Sequence, residues 1–296
     1  MNVLFQGNVL FGLLAAFFWG GGDFSGGMGV KHAGGSLGAA LRILLLSHSA
    51  SFSVLLLLAT LRGDHFPHGA PLVWGLIAGV AGGLSLSAFY IALARGSMGA
   101  SAAVSGLLAA AIPAAVSMMS EGFPGTSRLL GFLIAGIAIW MIAAAPTGVL
   151  EAPAPSTMGL AILAGAGFGI YFVALKMAGA AGVIWPMATA RMGSISTCAL
   201  LLLWVSNRPS MAEMARSRFT RAAVLWALST AALDTSGNLL FLSATRSGRL
   251  DVAAVLASLY PASTILLAAW VLKERCSRRQ GIGMAIAAAA VVLITL

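Results

Sequence analysis

Residues 36–60 read SLGAALRILLLSHSASFSVLLLLAT, a run of 25 residues with one formal charge, Arg42. The Gly34-Gly35 turn precedes it and the charged cluster Arg62-Gly63-Asp64 follows. A helix of this length rises roughly 37 Å, enough to cross the ~30 Å hydrocarbon core of a bilayer. The same pattern, an apolar run between charge or turn clusters, recurs along the chain. It predicts spans over residues 8–30, 36–60, 71–94, 98–119, 128–145, 157–178, 183–205, 222–245, 250–272 and 280–296. Ten spans with short loops require about 250–300 residues, and the chain has 296. The expected fold class is therefore all-α and integral to the membrane.

Composition supports this reading. Hydrophobic residues make up 59% of the chain, charged residues 8%, and there are 36 Gly. Soluble domains carry about 25% charged residues, and fewer cannot cover a water-facing surface. A soluble enzyme, a nucleic-acid-binding domain and a disordered chain are thereby excluded. The net charge of +9 comes from 17 Lys and Arg against 8 acids, with the basic residues spread along the apolar chain. They read as membrane flanks, so nucleic acid is not an expected partner. Cys198 and Cys276 make no disulfide framework and read as small packing residues. The first apolar run lacks a basic leader and is too long for a signal peptide, so it is expected to be a span.

The two halves of the chain can be overlaid. Arg42 matches Arg191 at an offset of 149, as Trp19-Gly20 matches Phe168-Gly169. Trp74 and Phe89 match Trp226 and Phe241 at 152, and Pro113 matches Pro261 at 148. The division falls into residues 1–150 and 151–296. With five spans each, an odd number, successive halves must enter the membrane in opposite senses. The expectation is two inverted five-helix repeats, an architecture of secondary transporters that open alternately to either side.

Several motifs repeat in order: Phe18-Trp19-Gly20, the matched Arg42 and Arg191, Ile112-Pro113 and Tyr260-Pro261, then Ser120-Glu121-Gly122 and Lys273-Glu274-Arg275. In these the chain resembles the EamA family of the drug/metabolite transporter superfamily over nearly its whole length. The resemblance implies a ten-helix secondary transporter, commonly an exporter of amino acids or other small metabolites, and fixes no substrate. The first half departs from the pattern after Glu121, where Gly122-Phe123-Pro124-Gly125 replaces the expected basic residue. The acidic Gly22-Asp23-Phe24 run is also not a general family feature.

Ionisable residues inside a membrane are costly and should face a cavity or a partner. Asp23, Arg42, Arg191 and Asp234 are the main candidates, with His48 a fifth. Counted from a turn near Ala33, Asp23 and Arg42 lie at similar depth and are expected to pair, as a structural ion pair or as a substrate or proton site. Arg191 has no matching partner, since Phe172 replaces Asp23 in the second half; helix carbonyls, Asp234 or an anionic substrate could serve it. Thr230, Asp234 and Asn238 form a polar row one turn apart on span eight, pointing to a wet cavity for substrate or protons. Trp19, Phe24, Tyr90, Tyr171, Trp185 and Tyr260 could wall such a cavity. Pro113 and Pro261 should kink their spans. Gly75 with Gly79 and Gly165 with Gly169 should permit close helix crossings, as should Gly22 with Gly26.

No catalytic set emerges. Gly20-Gly21-Gly22 lacks the Lys-Ser or Lys-Thr of a phosphate loop, and no His and Glu lie at zinc spacing, so neither metal nor cofactor is expected. Without a nucleotide site, active transport must draw on a gradient. The expected function is a proton-linked exporter of amino acids or similar small metabolites in a cell membrane of bacterial inner-membrane type, as monomer or homodimer. The alternatives are a passive facilitator and an uptake carrier.

Charge sets the expected orientation. With the N-terminus inside, inner loops would hold five basic residues, among them Arg62 and Lys176, and outer loops ten, among them Arg216 and Arg218. The positive-inside rule then places both termini outside. A Cys introduced at Ser210, in a chain with Cys198 and Cys276 changed to Ser, should resist an impermeant maleimide in intact cells and react once they are opened. Labelling from outside would reverse the orientation.

Overall fold

The computed structural model describes residues 7–94, 98–143, 155–211, 213, 215–271, 273 and 277–295, without the side chains of 90–94, 98–103, 143, 155, 156, 265 and 268. Within them the regular structure is helical and contains no strand. The long helices are α1 (Gly7–His32), α2 (Leu37–Arg62), α3 (Ala70–Ala94), α4 (Met98–Glu121), α5 (Thr126–Ala143), α6 (Pro155–Ala178), α7 (Ile184–Ser206) and α8 (Arg221–Ser247). They are followed by α9 (Leu250–Ala257), α10 (Tyr260–Val271) and α11 (Arg278–Thr295).

These helices are apolar on their outer faces as well as within. Leu57, Ile137, Leu200, Leu225 and Val292 stand exposed round the bundle, Leu200 by 67%. Water would not tolerate such a surface, whereas lipid tails do. Among the described residues eight helical stretches are long and apolar enough to cross a membrane, α9 and α10 counting as one stretch, Leu250–Val271. The apolar part of α5, Thr126–Ile142, is shorter. The long α8 is not among the eight, because its middle carries Thr230, Asp234, Thr235 and Asn238. The protein is thus a multi-pass membrane protein.

Span nine is interrupted at its expected kink. Pro261 has no N–H to give the carbonyl of Ala257, and its ring crowds that turn. The span breaks there: α9 ends at Ala257, tighter bonds follow from Leu259 N to Leu256 O (3.2 Å) and Ala262 N to Leu259 O (3.0 Å), and α10 begins at Tyr260. Pro113, by contrast, lies inside a continuous α4.

Small residues set the helix spacing. The Gly75 and Gly79 Cα atoms press on α7 so closely that a Cβ would lie 1.9 Å from Thr189 Oγ1 and 2.0 Å from the Ala190 carbonyl. Gly165 and Gly169 of α6 meet Ser105 and Ile112 of α4 in the same way. Gly22 of α1 lies against the backbone of Asp234, and Gly237 of α8 lies under the Trp19 ring. The expected close crossings at Gly75, Gly79, Gly165, Gly169 and Gly22 are therefore present.

Polar contacts also tie the two ends of the bundle. At the end where α1 begins, Lys176 pairs with Glu121, and Arg249 donates to the carbonyls of Glu121 (3.1 Å) and Gly122 (2.7 Å) and pairs with Asp251 at 2.7 Å. At the opposite end the α1–α2 turn docks on the α7–α8 loop. There the Arg218 amide donates to the Ala33 carbonyl (2.7 Å) and Ser36 donates to the Arg216 carbonyl. Ser36 and Thr220 cap α2 and α8 by accepting from the Ala39 and Ala223 amides.

Because Gly79 touches backbone that cannot yield, Gly79→Ala should cost about 1–3 kcal/mol and lower the melting temperature of the purified protein. Gly281, with nothing within 4 Å of a Cβ, is the control: Gly281→Ala should leave it unchanged or raise it. Equal effects at the two positions would refute the close α3–α7 crossing.

Candidate functional site

Asp234 lies thirteen residues from each end of α8, about 20 Å along the axis from either. Its Oδ2 pairs with the Arg191 guanidinium of α7. The Arg191 side chain is 5% exposed and that of Asp234 30%, so the pair has a buried face and an open one. On the buried side Arg191 Nε donates to Ser51 Oγ of α2 at 3.0 Å, and Ser51 lies 2.6 Å from Thr235 Oγ1 of α8. One turn along α2, His48 Nδ1 is 2.9 Å from Ser194 Oγ. A continuous polar network thus ties α2, α7 and α8 together in an apolar bundle. Buried charges persist only with such partners, since each unmet bond leaves a desolvated group uncompensated.

The open side of Asp234 faces α1 and α6. Asn238 donates from Nδ2 to the Asp234 carbonyl at 2.7 Å and accepts from the Tyr171 hydroxyl at its Oδ1. Thr230 bonds back to its own helix at Trp226 O (2.9 Å), so of the expected polar row Asp234 and Asn238 reach the network. Gly22 abuts Asp234, and the next residue is Asp23, which is exposed although its helix neighbours Gly22 and Phe24 are buried. Gly27 and Lys31, successive turns further along that face, are exposed too. The row leads from beside Asp234 to the α1–α2 end. Gly20, about one turn before Asp23, packs on the Tyr260 carbonyl of α10.

The expected Asp23–Arg42 pair does not form. Arg42 stands on the second turn of α2 and donates to the Ala215 carbonyl and to Ser217 Oγ (2.9 Å) in the α7–α8 loop. Helix α2 starts only at Leu37, which lifts Arg42 toward the bundle end and away from Asp23. Among the described residues Asp23 has no ion-pair partner. Arg191, which had no matching partner in the overlay of the halves, is the residue that is paired.

Of the aromatic candidates, Trp19 is buried and stacks on Phe172 (centroids 5.1 Å) and against Phe241 (5.4 Å), forming the floor beside the network. Tyr171 and Tyr260 are half-buried. Trp185 lies elsewhere, at the start of α7, donating to the Asp64 carbonyl at 2.9 Å. Phe24 packs edge-on against Trp226. The Tyr90 side chain and Glu274 lie outside the described residues. Ser51, Ser194 and Thr235 were not singled out from the sequence. Their signal is positional: Ser47, His48 and Ser51 recur at helical spacing on α2, facing the matched Arg of α7. Among the described residues no three His, Cys, Asp or Glu side chains are grouped to hold a metal.

Residues 155–296 match the model of the EamA-like transporter family. A crystal structure described only as "Crystal structure of protein" superposes with a TM-score of 0.72 over 98% of each chain at 17% identity, a likeness of fold alone. No curated protein matches the sequence.

Removing one member of a buried ion pair strands the other, at about 3–5 kcal/mol, whereas removing both is far milder. Asp234→Ala should therefore sharply lower the yield of folded protein and its melting temperature, and adding Arg191→Met should recover much of both. Asp23→Asn should leave both near wild type. Additive losses at Asp234 and Arg191 would show that the pair is not coupled.

Proposed function

We propose, from the match of residues 155–296 to the EamA-like transporter family, that the chain is a member of that family and a secondary transporter exporting amino acids or similar small metabolites in exchange for protons. Ten spans in two inverted repeats, residues 1–150 and 151–296, would open the central site alternately to each side. The observation that carries this reading is the Arg191–Asp234 pair at the middle of α8, beside the exposed Asp23. A charge at that depth costs about 2.5–3.5 kcal/mol on insertion scales, and intramembrane charges mark ion and substrate paths. The site we assign comprises Asp23, Arg191, Asp234, Asn238, Trp19, Tyr171 and Tyr260, with Arg42 at its outer rim.

Packing supports the repeat. Exchanging the halves turns α1 on α8 into α6 on α3, and α2 on α8 into α7 on α3; all four contacts are present. The Trp19–Phe241 contact at 5.4 Å has its counterpart in Phe168–Phe89 at 6.0 Å. The site itself is asymmetric. Gly22 faces Asp234 in one crossing, whereas Tyr171 faces Gly82 in the matching one. One half supplies bulk where the other leaves room.

Alternating access finds support in the ends of the bundle. Glu121 of the first half is clasped by Lys176 and Arg249 of the second. That closes the end where α1 begins, while the Asp23–Gly27–Lys31 row opens toward the other. A passive facilitator would need neither the clasp nor the buried pair.

In proteoliposomes an imposed pH gradient should drive uphill movement of a radiolabelled amino-acid mixture, and Asp23→Asn should abolish the response to pH. Asp23→Glu should retain part of it. Flux that only equilibrates, whatever the pH difference, would contradict proton coupling and favour the facilitator.

A further inference from the structure

The charges that meet at the centre of the bundle do not balance. Asp234 is matched by Arg191, while Asp23 beside it has no cation among the described residues. The elements packed on α1 supply none. Helix α8 presents Asp234 itself, and α10 presents Tyr260, whose carbonyl packs on Gly20 about one turn before Asp23. On α9 the one acid, Asp251, is bound to Arg249 at the bundle end, and next to α1 lie Ala253 and Leu256. On α2, Arg42 is held by Ala215 and Ser217, and His48 by Ser194. Tyr171 of α6 is committed to Asn238. Lys31 lies eight residues away at the mouth, roughly 12 Å along the helix.

One negative charge therefore stands uncompensated at the depth of Asp234, and charge within the membrane span is expensive. Either a proton on Asp23 or a positively charged ligand beside it removes the cost, and the two exclude each other. The surroundings favour an organic ammonium over an inorganic ion. Hard metal cations need about six or more oxygen ligands, whereas Asp23 offers a single carboxylate on a face it shares with Gly27. An alkylammonium, one positive group carrying its own N–H donors, is satisfied by one carboxylate. Among the described residues a ligand carboxylate at this depth finds no free cation, because Arg191 is already bound to Asp234 and Ser51.

We propose that Asp23 is the anchor for the amine of the transported molecule, and that amine and proton displace one another there. This rests on the transporter reading and narrows it: an amino group is the required feature and a carboxylate is not. The exchange balances, since Asp23–COOH and R–NH3+ give the Asp23 carboxylate–ammonium pair and one released proton.

The test is an equilibrium one, separate from flux. Detergent-purified protein in weak buffer, at successive values from mildly acid to mildly alkaline pH, is mixed with a series of arylalkylamines that includes phenethylamine. A pH-indicator dye reports proton release. Wild type should release about one proton per protein over part of that range. Phenylpropionate and sodium chloride should release none. Asp23→Asn should lose the release entirely while keeping its elution profile and melting temperature, because the Arg191–Asp234 pair is untouched; Asp23→Glu should restore part of it. Release unchanged in Asp23→Asn, equal release by phenylpropionate or sodium chloride, or no release by any of the amines would overturn the inference. Passive flux in liposomes alongside Asp23-dependent release would instead sink the coupling and leave the amine site standing.

Discussion

An Arg and an Asp bound to each other at the middle of α8 set the terms for everything packed around them. In the hydrocarbon core neither could stay charged alone, and together they still need their remaining donors and acceptors met. That requirement recruits Ser51 from α2, Thr235 and Asn238 from α8 and Tyr171 from α6. Four helices are thereby fixed in register about one point. The cost is visible in α8, which gives up the apolar character its length would otherwise provide. A polar helix survives here because α1 and α2 of the first half and α6, α7 and α9 of the second pack against it.

Close packing makes room for that arrangement. Without a hydrophobic drive between helices in lipid, van der Waals contact must hold the bundle, and small residues let backbones approach. Gly75 and Gly79 bring α3 onto α7, the helix that carries Arg191, while Gly22 brings α1 onto Asp234. The broken span α9–α10 adds a discontinuity opposite Gly20, whose backbone lies against Tyr260 and Ser263. Asp23 thus sits between a rigid ion pair and an interrupted helix. Strength at one wall and a helix break at the other suit a site that must hold a ligand and also change shape.

Much of this was legible in the residues. Apolar runs located the helices closely, since little besides lipid suits them, and the order of Arg, Trp and Pro landmarks pointed to duplication. Asp234 stood out because a carboxylate in an apolar run has few innocent explanations. The partner assignment was not legible. Depth counted from a turn put Arg42 level with Asp23, but a four-residue turn and a capped start at Ser36 moved Arg42 outward. Pairing between Arg191 and Asp234 joins helices that are consecutive in sequence, yet nothing in their spacing says which faces meet. Serine roles were hidden for another reason: a Ser in an apolar helix normally bonds its own backbone, as Ser53 and Ser87 do here, so Ser51 looks no different in sequence.

The account turns on Arg191 and Asp234 cancelling one another and leaving Asp23 as the group that takes up and gives up a proton. Infrared difference spectra of the reconstituted protein, recorded between acid and alkaline buffer in the stretching region of protonated carboxyl groups, observe that proton directly. The predicted result is a band from a shielded carboxyl that titrates, disappears when phenethylamine is added and is missing from Asp23→Asn. A band that persists in Asp23→Asn and vanishes only in Asp234→Asn would contradict it, since the proton would then reside on the carboxyl that the pair requires to be charged.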